Sequence, residues 1–331
     1  MTDAAAGTSE SVAAVIPNWN RGDLLKTLLD NLRSQTRAFN EVVVVDNGST
    51  DDSVQVAQEA GACVLRLERN LGFAPAVNRG IAAAKTDWIA ILNNDVTLAP
   101  DWLAVLLAAA RKDIVWFATG KTLSAQDHCV IDGAFDAVSR GACAYRCGSG
   151  KPDGPAWNQP RRIRMAPMTA VLIRRELFEQ IGELDERFES YLEDVDFGIR
   201  AALAGKWGVY EPAAIAYHLG NSTWGRWHKE SIRLLARNQV LLAAKHFRGQ
   251  PLWPILVGQL LWGLLAFRHG RLVSYLRGKF AGLGLARSLP PGPASEDGGT
   301  LFRESEREIL EIQQQTGFDV YWRAYFWSLR R

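Results

Sequence analysis

The sequence predicts an α/β protein, with a doubly wound, mostly parallel sheet, flanking helices and a C-terminal helical region. Three observations carry that expectation. Residues 41–46, Glu-Val-Val-Val-Val-Asp, are so β-branched that both faces of the strand must be buried, as in a parallel sheet. Strand-like runs at 12–16, 62–67 and 88–92 alternate with helical stretches at 23–32, 50–60 and 74–84. A β-α-β-α-β-α-β succession of this length implies right-handed crossovers around one sheet. The 331 residues are 47% hydrophobic and 22% charged, an ordinary globular balance that argues against disorder.

Residues 1–10 are small and polar and read as a flexible leader, and 11–225 form the main domain. Within it, 147–160 is rich in Gly and Pro and reads as a long surface loop. An apolar strand follows at 165–173, then helices at 175–181 and 193–204 and short strands at 207–210 and 215–218. The pattern then changes to a basic, apolar helical region over 226–287, with helices at 228–247, 252–267 and 272–283. Residues 288–300 are a linker by composition, and 301–331 a C-terminal amphipathic helix.

The net charge of +2 conceals an asymmetry. From Arg226 onward there are 16 Lys/Arg against 8 Asp/Glu, whereas residues 1–225 carry 22 basic and 28 acidic groups. A mildly acidic body with a basic, Trp-containing tail points to a polyanionic neighbour. No nucleic-acid-binding motif accompanies the charge, so an anionic membrane surface is the expected partner. The apolar stretch 252–267 contains Pro254 and Gln259 and falls short of the ~20 residues needed to span a bilayer, so it would lie in the interface. Packing on the main domain or against a second subunit of a homo-oligomer accounts for the same helices. The cysteines Cys63, Cys129, Cys143 and Cys147 lack a second Cys/His pair at zinc spacing. Reduced thiols and the lack of a basic-then-apolar N-terminal run fit a cytoplasmic protein, peripheral on the inner face of the plasma membrane.

Ligands of a doubly wound sheet bind beyond the carboxyl ends of its strands. Two polar clusters fall there. Asp46-Asn47-Gly48-Ser49-Thr50-Asp51 can present a carboxylate or carboxamide to a base edge while Ser49 or Thr50 caps the next helix, though a plain helix cap explains it equally. Asn93-Asn94-Asp95 offers one carboxylate beside two amides, a minimal seat for Mg²⁺ or Mn²⁺, and is also ordinary turn chemistry. Glu193-Asp194-Val195-Asp196 opens a helix, where acids suit the dipole, but one carboxylate can face a cleft and accept a proton. His218 ends an apolar strand, the position of many satisfied half-buried imidazoles.

The order and spacing of these residues resemble the family 2 glycosyltransferases of GT-A fold, particularly the bacterial branch of rhamnosyl- and galactofuranosyltransferases. The blocks are Val15-Ile16-Pro17-Asn18-Trp19-Asn20, Val45 to Asp51, Arg69 to Ala74 with Asn78-Arg79-Gly80, and Leu92-Asn93-Asn94-Asp95. Leu184 to Phe188, Tyr191 to Phe197 with Arg200 and Gly205, and His218 before Gly220-Asn221-Ser222 complete the match over about 12–225. The resemblance implies metal-dependent, inverting transfer of a rhamnose-like or other hexose from a dTDP- or UDP-sugar to a glycan or lipid-linked hydroxyl. It implies Asp95 and His218 on the metal and Asp194 as general base, preceded by Glu193. Pro17, Asn18, Asn20, Asp46, Asn47, Asn78 and Asn94 fall on the nucleotide side, with the base-binding position at Asn47. Asn93 departs from the usual Asp-x-Asp motif and leaves one carboxylate fewer on the cation. A sugar nucleotidyltransferase would call for a Gly-rich loop with a basic residue at 16–20, which is not there; a non-catalytic glycan-binding scaffold is the other alternative.

Overall fold

The β-branched run at 41–46 lies inside a parallel stack, as its composition requires. The computed structural model describes residues 10–220, 227–289 and 296–330. The first half contains β1 (Val12–Asn18), α1 (Gly22–Arg33), β2 (Glu41–Asp46), α2 (Ser53–Glu59), β3 (Cys63–Arg66), α3 (Phe73–Ala83) and β4 (Trp88–Leu92). Its strands run parallel in the order β4-β1-β2-β3. Side chains alternate across the buried strands. Ala13, Val15, Ile89 and Ile91 meet Val77 and Ile81 of α3, while Val12, Ala14, Ile16 and Ala90 belong to the core shared with Leu25 and Leu28 of α1.

The second half is mixed. It contains β5 (Val96–Leu98), α4 (Trp102–Asp113), β6 (Phe117–Ser124), β7 (Ile131–Gly133), β8 (Asp136–Val138), β9 (Ala144–Arg146), β10 (Arg161–Ile163), β11 (Ala170–Arg174), α5 (Arg175–Ile181), α6 (Glu193–Leu203) and β12 (Gly208–His218). β11 inserts antiparallel between β4 and β6, β12 runs parallel to β6, and β5 and β10 pair antiparallel with β12. β7 pairs with β6, and β8 and β9 form a separate ribbon.

Several sequence expectations are corrected here. The two short strands at 207–210 and 215–218 are one strand, β12, whose register shifts between Glu211 and Ile215. That bulge presses on β6, where a Cβ at Gly120 would run into the Ala214 carbonyl. The stretch 147–160 is anchored rather than a plain surface loop, because Trp157 is buried and its carbonyl accepts from the Tyr210 hydroxyl at 2.8 Å.

Five helices follow, α7 (Lys229–His246), α8 (Leu252–Arg268), α9 (Leu272–Ala286), α10 (Glu296–Thr316) and α11 (Val320–Ser328). The composition-based linker 288–300 is part helix, since α10 begins at Glu296; residues 290–295 of it, 1–9 of the leader and the 225/226 boundary lie outside the described residues. The expected single helix 301–331 is two, broken at Gly317 with φ +88°. Tertiary packing overrides the local Gly-rich signal. Phe302 is fully buried and stacks on Phe247 with ring centroids 3.9 Å apart. Ile309, Ile312, Trp322 and Tyr325 join the core beneath the sheet, and Ser305 Oγ accepts from the Val138 amide at 2.8 Å. The terminal helices are therefore a structural part of the domain. Phe302→Ala should lower unfolding stability by about 3–5 kcal/mol, read from the denaturant midpoint at constant slope; an unchanged midpoint would mean that α10 is a loosely attached appendage.

Candidate functional site

The carboxyl ends of β1, β2 and β4 converge because the three strands are parallel neighbours. Register sets Asn18 beside Asp46. Asn94, just past β4, donates from Nδ2 to Asn18 Oδ1 at 2.7 Å. Asn18 is 1% exposed, and its Nδ2 has no hydrogen-bond partner among the described residues. Asp46 is equally buried: its Oδ2 accepts from the Ser49 amide at 3.3 Å, while its Oδ1 has no partner among the described residues. A buried donor and a buried acceptor without partners, side by side, are costly unless something completes them. Their chemistry matches a planar group with both a carbonyl and an N–H on one edge.

Other expected nucleotide residues are used differently. Asn47 donates to Asn70 Oδ1 and the Gly72 carbonyl, and accepts from the Leu71 amide, so its carboxamide organises the 70–72 loop. Asn20, at φ 55°, accepts from the Thr50 amide at 2.9 Å and so ties the β1–α1 loop to the turn after β2. Asn78 is buried in α3 and clamps Leu184 through both its backbone groups, at 2.9 and 3.1 Å. Pro17 is half-buried one residue before Asn18. Neither Ser49 nor Thr50 caps α2; Asp51 instead accepts from the Ser53 amide at 3.1 Å and the Gly22 amide at 3.0 Å.

Asp95 meets His218 at the neighbouring strand end. β12 pairs with β5 so that His218 lies opposite Val96, and the Leu219 amide donates to the Asp95 carbonyl at 3.0 Å. His218 Nε2 lies 3.2 Å from Asp95 Oδ1, and Nδ1 lies 2.8 Å from Asp132 Oδ2. Burial opposes the charged imidazole, but hydrogen bonds to Asp132 and Asp95 prevail and raise its pKa to about 9. Two ligands adjacent on an octahedral cation at ~2.1 Å sit about 3 Å apart, so this pair has the bite of a two-point chelate. Among the described residues no cluster of three or more His, Cys, Asp or Glu forms a protein-only cage. A cation fits only as one sharing its remaining positions with water or a phosphate-bearing ligand. Asn93 is half-buried and its amide donates to the Thr169 carbonyl at 2.9 Å. Asn221 and Ser222, the end of the last sequence block, lie outside the described residues.

The acidic run of α6 splits into separate tasks. Asp194 accepts from the Val195 amide at 2.8 Å and from Arg146 Nη2 at 3.3 Å. Glu193 is 6% exposed; burial first, and the Asp194 charge second, push its carboxyl well above the usual range. Asp196 faces away, into contact with Lys245 at 2.8 Å, His246 at 2.7 Å and Arg200 at 3.0 Å. Burial pushes its carboxyl up, yet the His246 hydrogen bond and the Lys245 and Arg200 charges hold it below the ordinary value.

Three further contributors carry no local sequence signal. Asp132 sits 86 positions from the histidine it orients. Arg146 bridges Asp136, Asp194 and Thr169 from the end of β9. Asn238 of α7 donates to the carbonyls of Phe188, Ser190 and Tyr191 at 2.6–2.8 Å. It thereby holds the turn before Asp194, where Glu189, Tyr191 and Leu192 all have φ between 57° and 73°.

A parallel half-sheet with its polar residues at the carboxyl edge, continued by a mixed half that supplies an Asp–His pair, is the architecture of the GT-A glycosyltransferases. The Glycosyl transferase family 2 domain matches residues 13–182, just over half the chain, and the chain belongs to that family. It is 30% identical over 240 residues to the N-acetylglucosaminyl-diphospho-decaprenol L-rhamnosyltransferase of Mycobacterium tuberculosis (strain ATCC 25618 / H37Rv), covering 65% of this chain and 78% of that protein. It is also 30% identical over 208 residues to the O-antigen biosynthesis protein RfbC of Myxococcus xanthus, covering 59% of this chain and 16% of that one. A mannosyltransferase from Pyrobaculum calidifontis, solved with GDP-Man and Mn2+, shares the fold at TM-score 0.55 and 18% identity, over 97% of this chain and 87% of that one.

The division within α6 has a measurable consequence. A carboxylate whose folded pKa is depressed adds stability above its unfolded pKa, near 3.8, and that stability is lost as pH falls through the folded value. Asp196→Ala should therefore destabilise the fold by about 3–5 kcal/mol at neutral pH, by leaving buried cations unpaired. The gap between variant and parent should narrow below about pH 4. A thermal midpoint for the variant within a degree or two of the parent's would place Asp196 outside the structural framework.

Proposed function

We propose that this glycosyltransferase moves a hexose, rhamnose-like in the first instance, from a dTDP- or UDP-sugar to a hydroxyl of a glycan or lipid-linked acceptor, with inversion. One observation carries the reading: the unpartnered Asn18–Asp46 pair and the Asp95–His218 pair lie along one strand-end edge, linked through Asn94. The base of uridine or thymidine carries a carbonyl beside an imide N–H, the complement of Asn18 Nδ2 and Asp46 Oδ1. This supports Asp46 over Asn47 as the base contact. The acceptor class draws on the rhamnosyltransferase relative, whose name specifies a diphospho-decaprenol substrate.

Asp95 and His218 would hold Mg²⁺ or Mn²⁺, with Asn94 next to the diphosphate and Asn93 alongside. Such a cation supplies charge neutralisation to a departing nucleoside diphosphate. Asp132 keeps His218 Nε2 turned toward Asp95 through its bond to Nδ1. Asp194 accepts the proton of the acceptor hydroxyl while that oxygen attacks the anomeric carbon. The bond from that carbon to the diphosphate oxygen breaks from the opposite face, which inverts the centre in one displacement. Arg146 positions the Asp194 carboxylate, and burial and the Asp194 charge push the carboxyl of neighbouring Glu193 upward.

Asp194→Asn should reduce turnover by on the order of a thousandfold while the donor Kd, measured by calorimetry, stays within about threefold. Parallel loss of donor affinity and turnover would remove Asp194 from the role of base. Asp132→Asn should weaken Mn²⁺ affinity, followed by the electron-spin signal of the free ion, by about 10- to 100-fold. Unaltered Mn²⁺ affinity would mean that His218 needs no orienting partner.

A further inference from the structure

We infer that the α8–α9 hairpin is a docking surface for an anionic lipid bilayer, lying flat in the headgroup boundary. A helix on a protein surface normally turns its polar side to water; α8 does the reverse. Leu256, Leu260 and Leu264 recur every four residues on its outward side, and Leu260 is 66% exposed. On α9, Leu276, Phe280 and Leu283, spaced four and three residues apart, are likewise exposed, Phe280 at 72%. The Gln259 side chain of α8 points inward: its Nε2 donates to the Gly141 carbonyl at 2.9 Å, and its Oε1 accepts from Lys279 of α9. Trp253, 61% exposed, stands at the start of the same stripe, as interfacial tryptophans do.

Charge selects the occupant. Between Ser231 and Ser295 the sequence has nine Lys/Arg and no Asp or Glu. Arg233, Arg237 and Lys245 pair with acids outside that stretch, and Lys279 turns inward to Gln239 and Gln259, so the outward charge is that of the exposed arginines. Arg248, Arg268 and Arg287 flank the helix ends, all exposed, and Arg277 is exposed midway along α9. In a two-fold contact between copies this face would meet itself, which sets like charges together with no acid in the stretch to offset them. Anionic headgroups offset them directly, while long basic side chains reach up around buried apolar groups. Among the described residues no helix is long and apolar enough to cross a membrane, so the hairpin would lie along the surface.

The hairpin is rigidly coupled to the site. A Cβ at Gly278 or Gly282 of α9 would strike the α7 backbone at the Arg233 and Arg237 carbonyls, so α9 sits hard against α7. Asn238 of that same α7 holds the turn before Asp194. A bilayer-bound hairpin would thus fix the height of the base loop above the lipid, where a lipid-linked hydroxyl is presented. In that last respect it rests on the acceptor class proposed above; the docking itself does not.

Vesicle co-flotation of the full chain tests it. Binding is expected to phosphatidylglycerol/phosphatidylcholine vesicles, weaker binding to pure phosphatidylcholine, and a loss of about tenfold or more with the combined substitution Leu256→Glu, Leu260→Glu and Phe280→Glu. Those side chains are exposed, and circular dichroism with donor-hydrolysis rates of the parent and the variant would verify that fold and site persist. No flotation of the parent, or equal flotation of parent and variant, overturns the proposal. So does a parent that sediments as a dimer and a variant that sediments as a monomer, with neither bound to vesicles. Vesicle binding with no transfer to a lipid-linked acceptor would keep the docking surface and overturn only the acceptor class.

Discussion

Clustering acids behind a sheet edge raises repulsion that the fold must offset, and Arg146 is the group that does so. Its side chain is two-thirds shielded, which disfavours its charge, yet Asp136, Asp194 and Asp132 hold its pKa above the ordinary guanidinium value. Burial drives the Asp136 carboxyl upward, with Asp194 adding to the rise and Arg146 opposing it. The same cation reaches Thr169, whose carbonyl receives the Asn93 amide, and it feels Asp132, the partner of His218. One side chain therefore links Asp194 to the strand-end region that carries Asp95 and His218. Replacing it would leave the largely buried Asp136 and Asp194 carboxylates facing each other without a cation, and an uncompensated buried charge is costly.

That placement was beyond the reach of local sequence reading. The parallel half was legible because its strands are continuous β-branched or apolar runs separated by helices of ordinary length. The strand-end position of Asp46 and Asn94 followed from topology, and Asn18 came from the family resemblance. Between Val96 and Arg146, β5, β7, β8 and β9 were not legible, since they are three residues each and too short for periodicity to register. Pairings such as Arg146 with Asp194 and Asp132 with His218 depend on which of those short strands face one another. Asn47 and Asn78 show the opposite limit. Both lie inside family-like motifs, yet their amides bond to the protein's own backbone, a use that a motif cannot distinguish from ligand binding.

The acids of α6 show how a single run divides its labour. Successive residues on a helix point about 100° apart, so Asp194 and Asp196 cannot face the same surroundings. Asp194 turns to Arg146, and the helical scaffold receives Asp196, which Lys245 and His246 of α7 engage from the other side. The acid that anchors α6 and the acid that meets Arg146 are thus set by one helix orientation. An error in either would displace both.

The turn before α6 is where this orientation is decided. Three non-glycine residues in the left-handed region cost of order 1–3 kcal/mol each, and such strain persists only where surrounding contacts over-determine the backbone. Those contacts come from α7: the Asn238 amide on three carbonyls, Arg237 on Phe188 and Glu189, and Ser231 beneath the Tyr191 hydroxyl. The C-terminal helices are therefore part of the site's geometry. Because α9 is seated on α7 through glycine contacts that leave no slack, a force applied at the outer hairpin is carried to the strained turn through two closely packed helices. This chain of contacts gives the outward apolar stripe a mechanical route to Asp194 that an independent tail would lack.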